Sequence, residues 1–196
     1  YVHNRGCSPC LCRKIAFVNG SPRSDGNTGS MMKLLARKAR ERGAEVTYFE
    51  IVDKEVQDCD GCYRCDTEDR CSKDDDMNDA YSLIQSSDVL VIGSPIYMGG
   101  ETGMTKCFVD RLYYLMAKKR LAPGKRAAAL FTCGLSDGHM IYGHMHGRFD
   151  KLLRMDLGFD EAKTFIVPGM RNRVDLEGNY YAQETLKAME SFLFPE

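Results

Sequence analysis

The chain has 196 residues, with 27 basic and 28 acidic side chains, a net charge of −1 and nine cysteines. That length supports one domain with a substantial core. The balanced charge argues against a general pull toward nucleic acid or anionic membrane, and no stretch is apolar for long enough to span a bilayer.

The opening YVHNRGCSPCLCRK lacks the apolar centre of a secretory signal. Residues 1–13 are read as an N-terminal extension, disordered or artefactual, ahead of a single domain over 14–196. A high, odd cysteine count with no export signal favours a reducing cytoplasm and metal or redox chemistry over a disulfide framework. KIAFVNG (Lys14 to Gly20) is a short apolar run ending in glycine and reads as a buried strand. After a turn-rich loop, Met31, Leu34, Leu35 and Ala39 form a helical stripe that stops near Gly43. EVTYFEI (Glu45 to Ile51) is a second strand, and Asp74 to Asp76 are placed to cap the next helix. VLVIGSP (Val89 to Pro95) is the third strand. Met104, Phe108, Leu112 and Leu115 mark one face of a long helix over 104–119. RAAALFTC and KTFIVPG supply the last two strands, with helices expected over 141–157 and 182–193. This alternation predicts an α/β fold: a flavodoxin-like, doubly wound parallel sheet of five strands in the order 2-1-3-4-5, with a cysteine-rich insertion between strands 2 and 3.

In such sheets ligands sit beyond the carboxyl ends of the strands. The loop GSPRSDGNTG (Gly20 to Gly29) opens a helix, where free N–H groups and a positive dipole end attract anions. Ser21, Ser24, Asn27 and Thr28 add donors, and Arg23 adds charge. The loop lacks both the G-K-[ST] of a P-loop and the G-x-G-x-x-G of a dinucleotide fingerprint, so a phosphate monoester fits better than a pyrophosphate. The loop GSPIYMGGETG (Gly93 to Gly103) offers a rigid turn at Pro95 and a flat apolar surface at Tyr97 and Met98. Thr132 and Gly134 begin a third loop. Taken singly, each loop is also readable as ordinary capping or packing. Together they describe a mononucleotide with a planar ring, for which FMN is the natural candidate.

Cys59, Cys62, Cys65 and Cys71 follow C-x2-C-x2-C-x5-C. Two equal short steps let a tight loop wrap three thiolates around one centre, as in ferredoxin runs, whereas structural zinc sites more often use two separated pairs. The spacing favours an iron–sulfur cluster, with zinc and unligated thiols as the alternatives. Asp58, Asp60, Asp66, Glu68, Asp69 and Asp74 outnumber Arg64, Arg70 and Lys73 around it, which predicts a low reduction potential. Cys7, Cys10 and Cys12 form a second, weaker thiol group. His139, His144 and His146 read as surface residues, Cys107 and Cys133 as small buried hydrophobes, and Lys106 and Arg111 as solvated or ion-paired.

GSPRSDGNT, SPIYMGGETGMTKCFVDRL and the cysteine run followed by CSKDDDM resemble the NADPH-dependent FMN reductase superfamily and, within it, the iron–sulfur flavoprotein family. The resemblance covers about Lys14 to Arg120 and weakens beyond. It implies that Ser21, Arg23, Asn27 and Thr28 hold the FMN phosphate. By the same likeness Pro95, Ile96, Tyr97, Met98 and Gly99 line the ring, the loop from Thr132 closes the pocket, and the four clustered cysteines bind one [4Fe–4S] cluster. The expected function is an oxidoreductase passing electrons from a ferredoxin-like donor through the cluster to FMN and on to a small-molecule acceptor, in a homodimer or homotetramer. An NAD(P)H-dependent FMN or quinone reductase without a working cluster is the alternative, and a non-catalytic metal- or flavin-binding module is the second.

Overall fold

Along β1 (Lys14–Asn19), Ile15 and Phe17 face one side of the sheet and Ala16 and Val18 the other, and all four are at most 1 % exposed. A strand apolar on both faces must lie between two covering layers. The same alternation recurs in β3 (Val89–Pro95), β4 (Arg126–Thr132) and β5 (Glu161–Val167), while β2 (Glu45–Glu50) is a half-exposed edge. The five strands are parallel in the order β2-β1-β3-β4-β5, as the sequence predicts. This computed structural model describes residues 13–172 and 176–195, so Cys7, Cys10 and Cys12 lie outside the described residues.

One face is covered by α1 (Asn27–Glu41) and α7 (Tyr180–Leu193). The other is covered by α2 (Met77–Ser86), α3 (Gly103–Arg111), α4 (Tyr113–Ala117) and α6 (His144–Asp150), with the single turn α5 (Gly138–Ile141) leading into α6. The helix expected over 104–119 is therefore two, broken at the fully buried Leu112. Its apolar face still holds, since Phe108, Leu112 and Leu115 are all 0 % exposed. The helix expected over 141–157 is also divided: α6 passes into a wider coil over Lys151–Asp156, closed by Leu157 N–H donating to Leu152 O at 2.9 Å.

Two anchors fix the loops that matter. The first joins the ends of β1 and β3. Gly20 N–H donates to Gly93 O at 2.7 Å, and the Thr102 and Thr105 hydroxyls reach Gly20 O at 2.7 and 3.1 Å. Ser94 Oγ accepts from Thr102 N–H at 3.1 Å and lies 3.2 Å from Thr105 Oγ1, so four buried polar groups satisfy one another. Thr102 also caps α3 by accepting from Thr105 N–H at 3.3 Å. Only glycine fits at position 20, because a Cβ there would stand 1.8 Å from Thr105 Oγ1.

The second anchor is the pair Arg111–Asp75, with side chains 1 % and 0 % exposed. Arg111 Nη1 and Nη2 donate to Asp75 Oδ2 and Oδ1 at 2.7 and 3.0 Å, and Nη1 also donates to Gln57 O at 3.0 Å. Gln57 N–H donates back to Asp75 Oδ2 at 3.0 Å. Gln57 and Asp75 flank the cysteine segment, so one guanidinium closes that loop onto α3. The aspartates expected to cap α2 are thus largely used otherwise: Asp75 accepts from Met77 N–H at 3.2 Å but chiefly binds Arg111, and Asp76 accepts from Glu55 N–H at 2.7 Å. Of the two readings for Arg111, the ion pair holds and solvation does not. Lys106 pairs with Asp110 on the exposed face of α3.

Burial pushes the Asp75 carboxyl up, but the hydrogen bonds from Arg111 and Gln57 outweigh it and hold the carboxyl below its ordinary 3.8. A carboxylate lowered in this way takes its proton first in the unfolded chain. Its stabilisation is therefore present in full above about pH 4 and drains away as pH falls. Asp75→Asn is expected to cost about 3–5 kcal/mol at neutral pH, because it leaves a buried cation without its counter-charge. In urea titrations the gap to the unmodified protein should narrow below about pH 4, and a gap independent of pH would refute the assignment. Gly20→Ala should lower stability by about 1–3 kcal/mol through overpacking. Gly103→Ala, whose Cβ meets nothing within 4 Å, should gain about 0.4–1 kcal/mol in the same assay.

Candidate functional site

Two cavities carry the residues singled out by the sequence. The first, of about 190 Å3, lies at the carboxyl ends of β1, β3 and β4. Ser21, Arg23, Asn27, Thr28, Pro95, Ile96, Tyr97, Thr132 and Gly134 line it, whereas Ser24, Met98 and Gly99 do not. Gly26, Cys133, Met170 and Arg171 complete its wall and were missed. Met170 and Arg171 follow β5, and the rule that ligands gather beyond strand ends points to that loop as much as to the other three.

The donors read as phosphate ligands are partly engaged with the protein. Ser21 Oγ donates to Arg23 O at 2.9 Å, and Asn27 Nδ2 donates to Met170 O at 3.0 Å and Asn172 O at 2.8 Å. Thr28 and Thr132 hydroxyls meet at 2.7 Å. These bonds shape the cradle. Its anion-attracting element is the start of the fifteen-residue α1, where Gly26 supplies no side-chain cap and the first turn holds no acidic residue. The backbone N–H groups there are the donors best placed for a phosphate, and exposed Arg23 adds charge.

The turn after β3 is a two-residue hairpin. Tyr97 N–H donates to Gly100 O at 2.8 Å and Gly100 N–H to Tyr97 O at 3.1 Å. Met98 and Gly99 have φ of 49° and 87°, the left-handed pair that a tight hairpin turn needs. Met98 is fully exposed at the tip, and Tyr97 is 45 % exposed at the cavity rim. The turn is held from α6: Arg148 pairs with Glu101, whose side chain is 3 % exposed, and His144 Nε2 lies 3.2 Å from Gly99 O. Burial pushes Glu101 up, but the Arg148 hydrogen bonds win and keep it ionised. His144 thus has a positioning contact that its reading as a surface residue did not foresee.

The second cavity, of about 260 Å3, is lined by Cys59, Cys62, Cys65 and Cys71 together with Tyr63, Arg111, Tyr113 and Tyr114. The thirteen residues 59–71 thus fold so that all four cysteines line one space. Gly61 and Tyr63 turn the loop with φ of 66° and 55°. Ser72 Oγ lies 3.1 Å from Cys62 Sγ, and Asp60 accepts from Cys62 N–H at 3.2 Å. Among the described residues no three His, Cys, Asp or Glu converge as the ligands of a single metal ion do. Four soft thiols around one space suit a polynuclear centre, in which each thiolate has its own iron. Burial pushes the Cys65 thiol up, and the neighbouring Asp66, Cys71 and Cys62 push it further, a cost that a cationic centre would reverse.

The acidic shell read from the sequence is offset from outside the segment. Lys118 binds Asp69 at 2.8 Å and Thr67 O at 3.1 Å, and Arg120 donates to Cys65 O and Glu68 O at 3.1 and 2.8 Å. Tyr113 and Tyr114 hydroxyls donate to Asp66 and to Asp69 O at 3.0 and 2.9 Å. Arg111 Nε is buried and has no acceptor among the described residues, which ordinarily costs about 1–3 kcal/mol. Cys133, buried as expected, is pushed up by burial and sits at the edge of the first cavity rather than in the core alone. Cys107 is half-buried.

Comparison with known proteins fits this geometry. The chain is 33 % identical over 98 residues to an iron–sulfur flavoprotein of Methanocaldococcus jannaschii, covering 50 % of this chain and 51 % of that one. It is 33 % identical over 125 residues to an iron–sulfur flavoprotein of Methanosarcina thermophila, covering 64 % and 65 %. It therefore spans about half to two thirds of these relatives' length. Among solved structures, an NAD(P)H:quinone oxidoreductase from Methanothermobacter marburgensis superposes with a TM-score of 0.70 at 12 % identity, over 93 % of this chain and 98 % of that one, which bears on the fold alone. Residues 13–155, holding both cavities but for Met170 and Arg171, match the NADPH-dependent FMN reductase family, and the chain belongs to that family.

Proposed function

We propose that the chain is a flavin-dependent oxidoreductase of the iron–sulfur flavoprotein type, binding FMN in the first cavity and a [4Fe–4S] cluster in the second. The observation that carries this reading is the convergence of Cys59, Cys62, Cys65 and Cys71 on one cavity, in a chain whose strand ends form an anion cradle. When bound, a cluster supplies single electrons, and FMN exchanges one or two.

The protein's part is placement. The start of α1 and Arg23 face the phosphate, and the Pro95-to-Tyr97 turn gives a rigid wall for the planar ring. Thr132 and Gly134 close the far side. In the second cavity the four thiols are the ligands, and Ser72 steadies Cys62. Helix α3 begins at the turn beside the first cavity and ends with Asp110 and Arg111 in the wall of the second. At 1.5 Å per residue its nine residues span roughly 13 Å, so one rigid element sets the spacing of the two cavities. A ferredoxin-like donor, a small-molecule acceptor and a homo-oligomeric cytoplasmic enzyme complete the proposal.

Anaerobically purified protein should hold one FMN with about four irons and four sulfides. Cys62→Ala should lose the iron and retain the flavin. One FMN with negligible iron after anaerobic reconstitution, together with rapid NADPH oxidation, would instead support an NAD(P)H-dependent flavin or quinone reductase. FMN that neither reduced ferredoxin nor NAD(P)H can reduce would mark a binding module. Arg23→Ala should weaken FMN binding about tenfold, the loss of one charge-assisted hydrogen bond. Riboflavin, which lacks the phosphate, should bind the two proteins equally in a fluorescence titration. Equal weakening for both flavins would move Arg23 away from the phosphate.

A further inference from the structure

Arg171 stands in the wall of the first cavity, in the loop after β5, and beyond the residues 13–155 that match the family. It is exposed, and its guanidinium has no ion-pair or hydrogen-bond partner among the described residues. A free guanidinium on a surface is ordinary, but the backbone that carries this one is held from two sides. Gly169 N–H donates to Leu135 O at 2.9 Å and Met170 N–H to Cys133 O at 2.7 Å, which pins the loop to the one after β4. Asn27, the first residue of α1, donates from Nδ2 to Met170 O at 3.0 Å and to Asn172 O at 2.8 Å, and so grips the chain on both sides of Arg171. Gly134 seats the stem, since a Cβ there would stand 3.3 Å from both Cα and Cβ of Arg171. A side-chain amide nitrogen carries two hydrogens, and both of Asn27's are spent on these carbonyls, so that nitrogen has none left for a ligand.

We propose that Arg171 binds the flavin phosphate together with Arg23, and that Asn27 is a positioning residue that holds Arg171 in place. This rests on the flavin reading given above. Charge is the first argument. A phosphate monoester carries about −1.5 to −2 at neutral pH. The start of α1 is equivalent to about +0.5 and Arg23 adds one positive charge, so a second guanidinium brings the cavity to balance. The cavity wall holds these two arginines and no carboxylate to compete for them. Place is the second argument, because the Asn27 grip ties the Arg171 loop to the same helix start whose backbone N–H groups suit an anion. The planar fork of a guanidinium also matches two phosphate oxygens at once, which an ammonium does not.

The test is fluorescence titration of the intact, flavin-free chain with FMN and with riboflavin. Arg171→Ala should weaken FMN about tenfold and leave riboflavin unchanged, with Arg171→Lys between the two. The 31P resonance of bound FMN should move in Arg171→Ala while the visible absorption of the ring stays, a reading that needs no riboflavin. Asn27→Ala should weaken FMN several-fold in the native background and less than about twofold in Arg171→Ala, because its side chain acts through Arg171. Equal losses in both backgrounds would make Asn27 an independent contact and overturn its positioning role. Tight FMN binding that Arg171→Ala leaves unchanged, or equal weakening of FMN and riboflavin, would overturn the role of Arg171 while leaving the flavin site intact. A native chain that binds neither flavin would overturn the flavin reading as well.

Discussion

Everything the cysteine segment can do depends on a buried ion pair outside it. Arg111 and Asp75 meet in a bidentate contact from which water is excluded, and Gln57 joins them from the other side of the segment. Between Gln57 and Asp75 the chain has almost no apolar side chains to bury, so it cannot fold on a core of its own. Closing it costs conformational entropy that local contacts do not return. A guanidinium held in the helical layer supplies the missing attachment. Such a pair is worth little against a hydrophobic isostere, but breaking it is costly, so it acts as a latch more than as a source of net stability.

The break at Leu112 is best understood from the same place. A continuous helix over 104–119 would carry its polar face straight past the segment. Instead the chain turns at Leu112, and α4 presents Tyr113 and Tyr114, followed by Lys118 and Arg120, to residues 65–69. Arg120 also lies 4.0 Å over the Tyr114 ring, so the cationic arm is itself stacked in position. The sequence pattern of apolar residues passes through the break unaltered because Leu112 remains in the core. Its ψ of −11° changes the direction of the axis without changing the face.

This explains which parts were legible. Strand positions follow from apolar runs whose alternate residues face two layers, and Ile15 to Val18 state that pattern in four positions. The strand order follows from the β-α alternation and matches what is seen. The four cysteines announce themselves by spacing. What could not be read is long-range charge pairing, since nothing local to Arg111 points to Asp75, 36 residues earlier. The count of charges around the cysteines left out Lys118 and Arg120 for the same reason, because they are distant in sequence. Met170 and Arg171 were within reach of inference, because β5 ends beside β4. Asn27 shows a subtler limit: it lines the first cavity, and its side-chain amide also ties the β5 loop to α1, a contact that nothing local in the sequence announces.

The two anchors together make α3 the joint between the cavities. At its start, Thr102 and Thr105 are locked to Gly20 and Ser94, so the helix is registered against the loops that follow β1 and β3 at once. At its end, Arg111 is locked to both flanks of the cysteine loop. A displacement at either end cannot be absorbed within a nine-residue helix whose inner face, at Phe108 and Val109, is packed in the core. The distance between an occupant of one cavity and an occupant of the other is therefore set by backbone geometry, not by flexible side chains. For chemistry that passes electrons between two centres, a fixed spacing is the property the fold most needs to supply, and here it is supplied by hydroxyls at one end of a short helix and a buried guanidinium at the other.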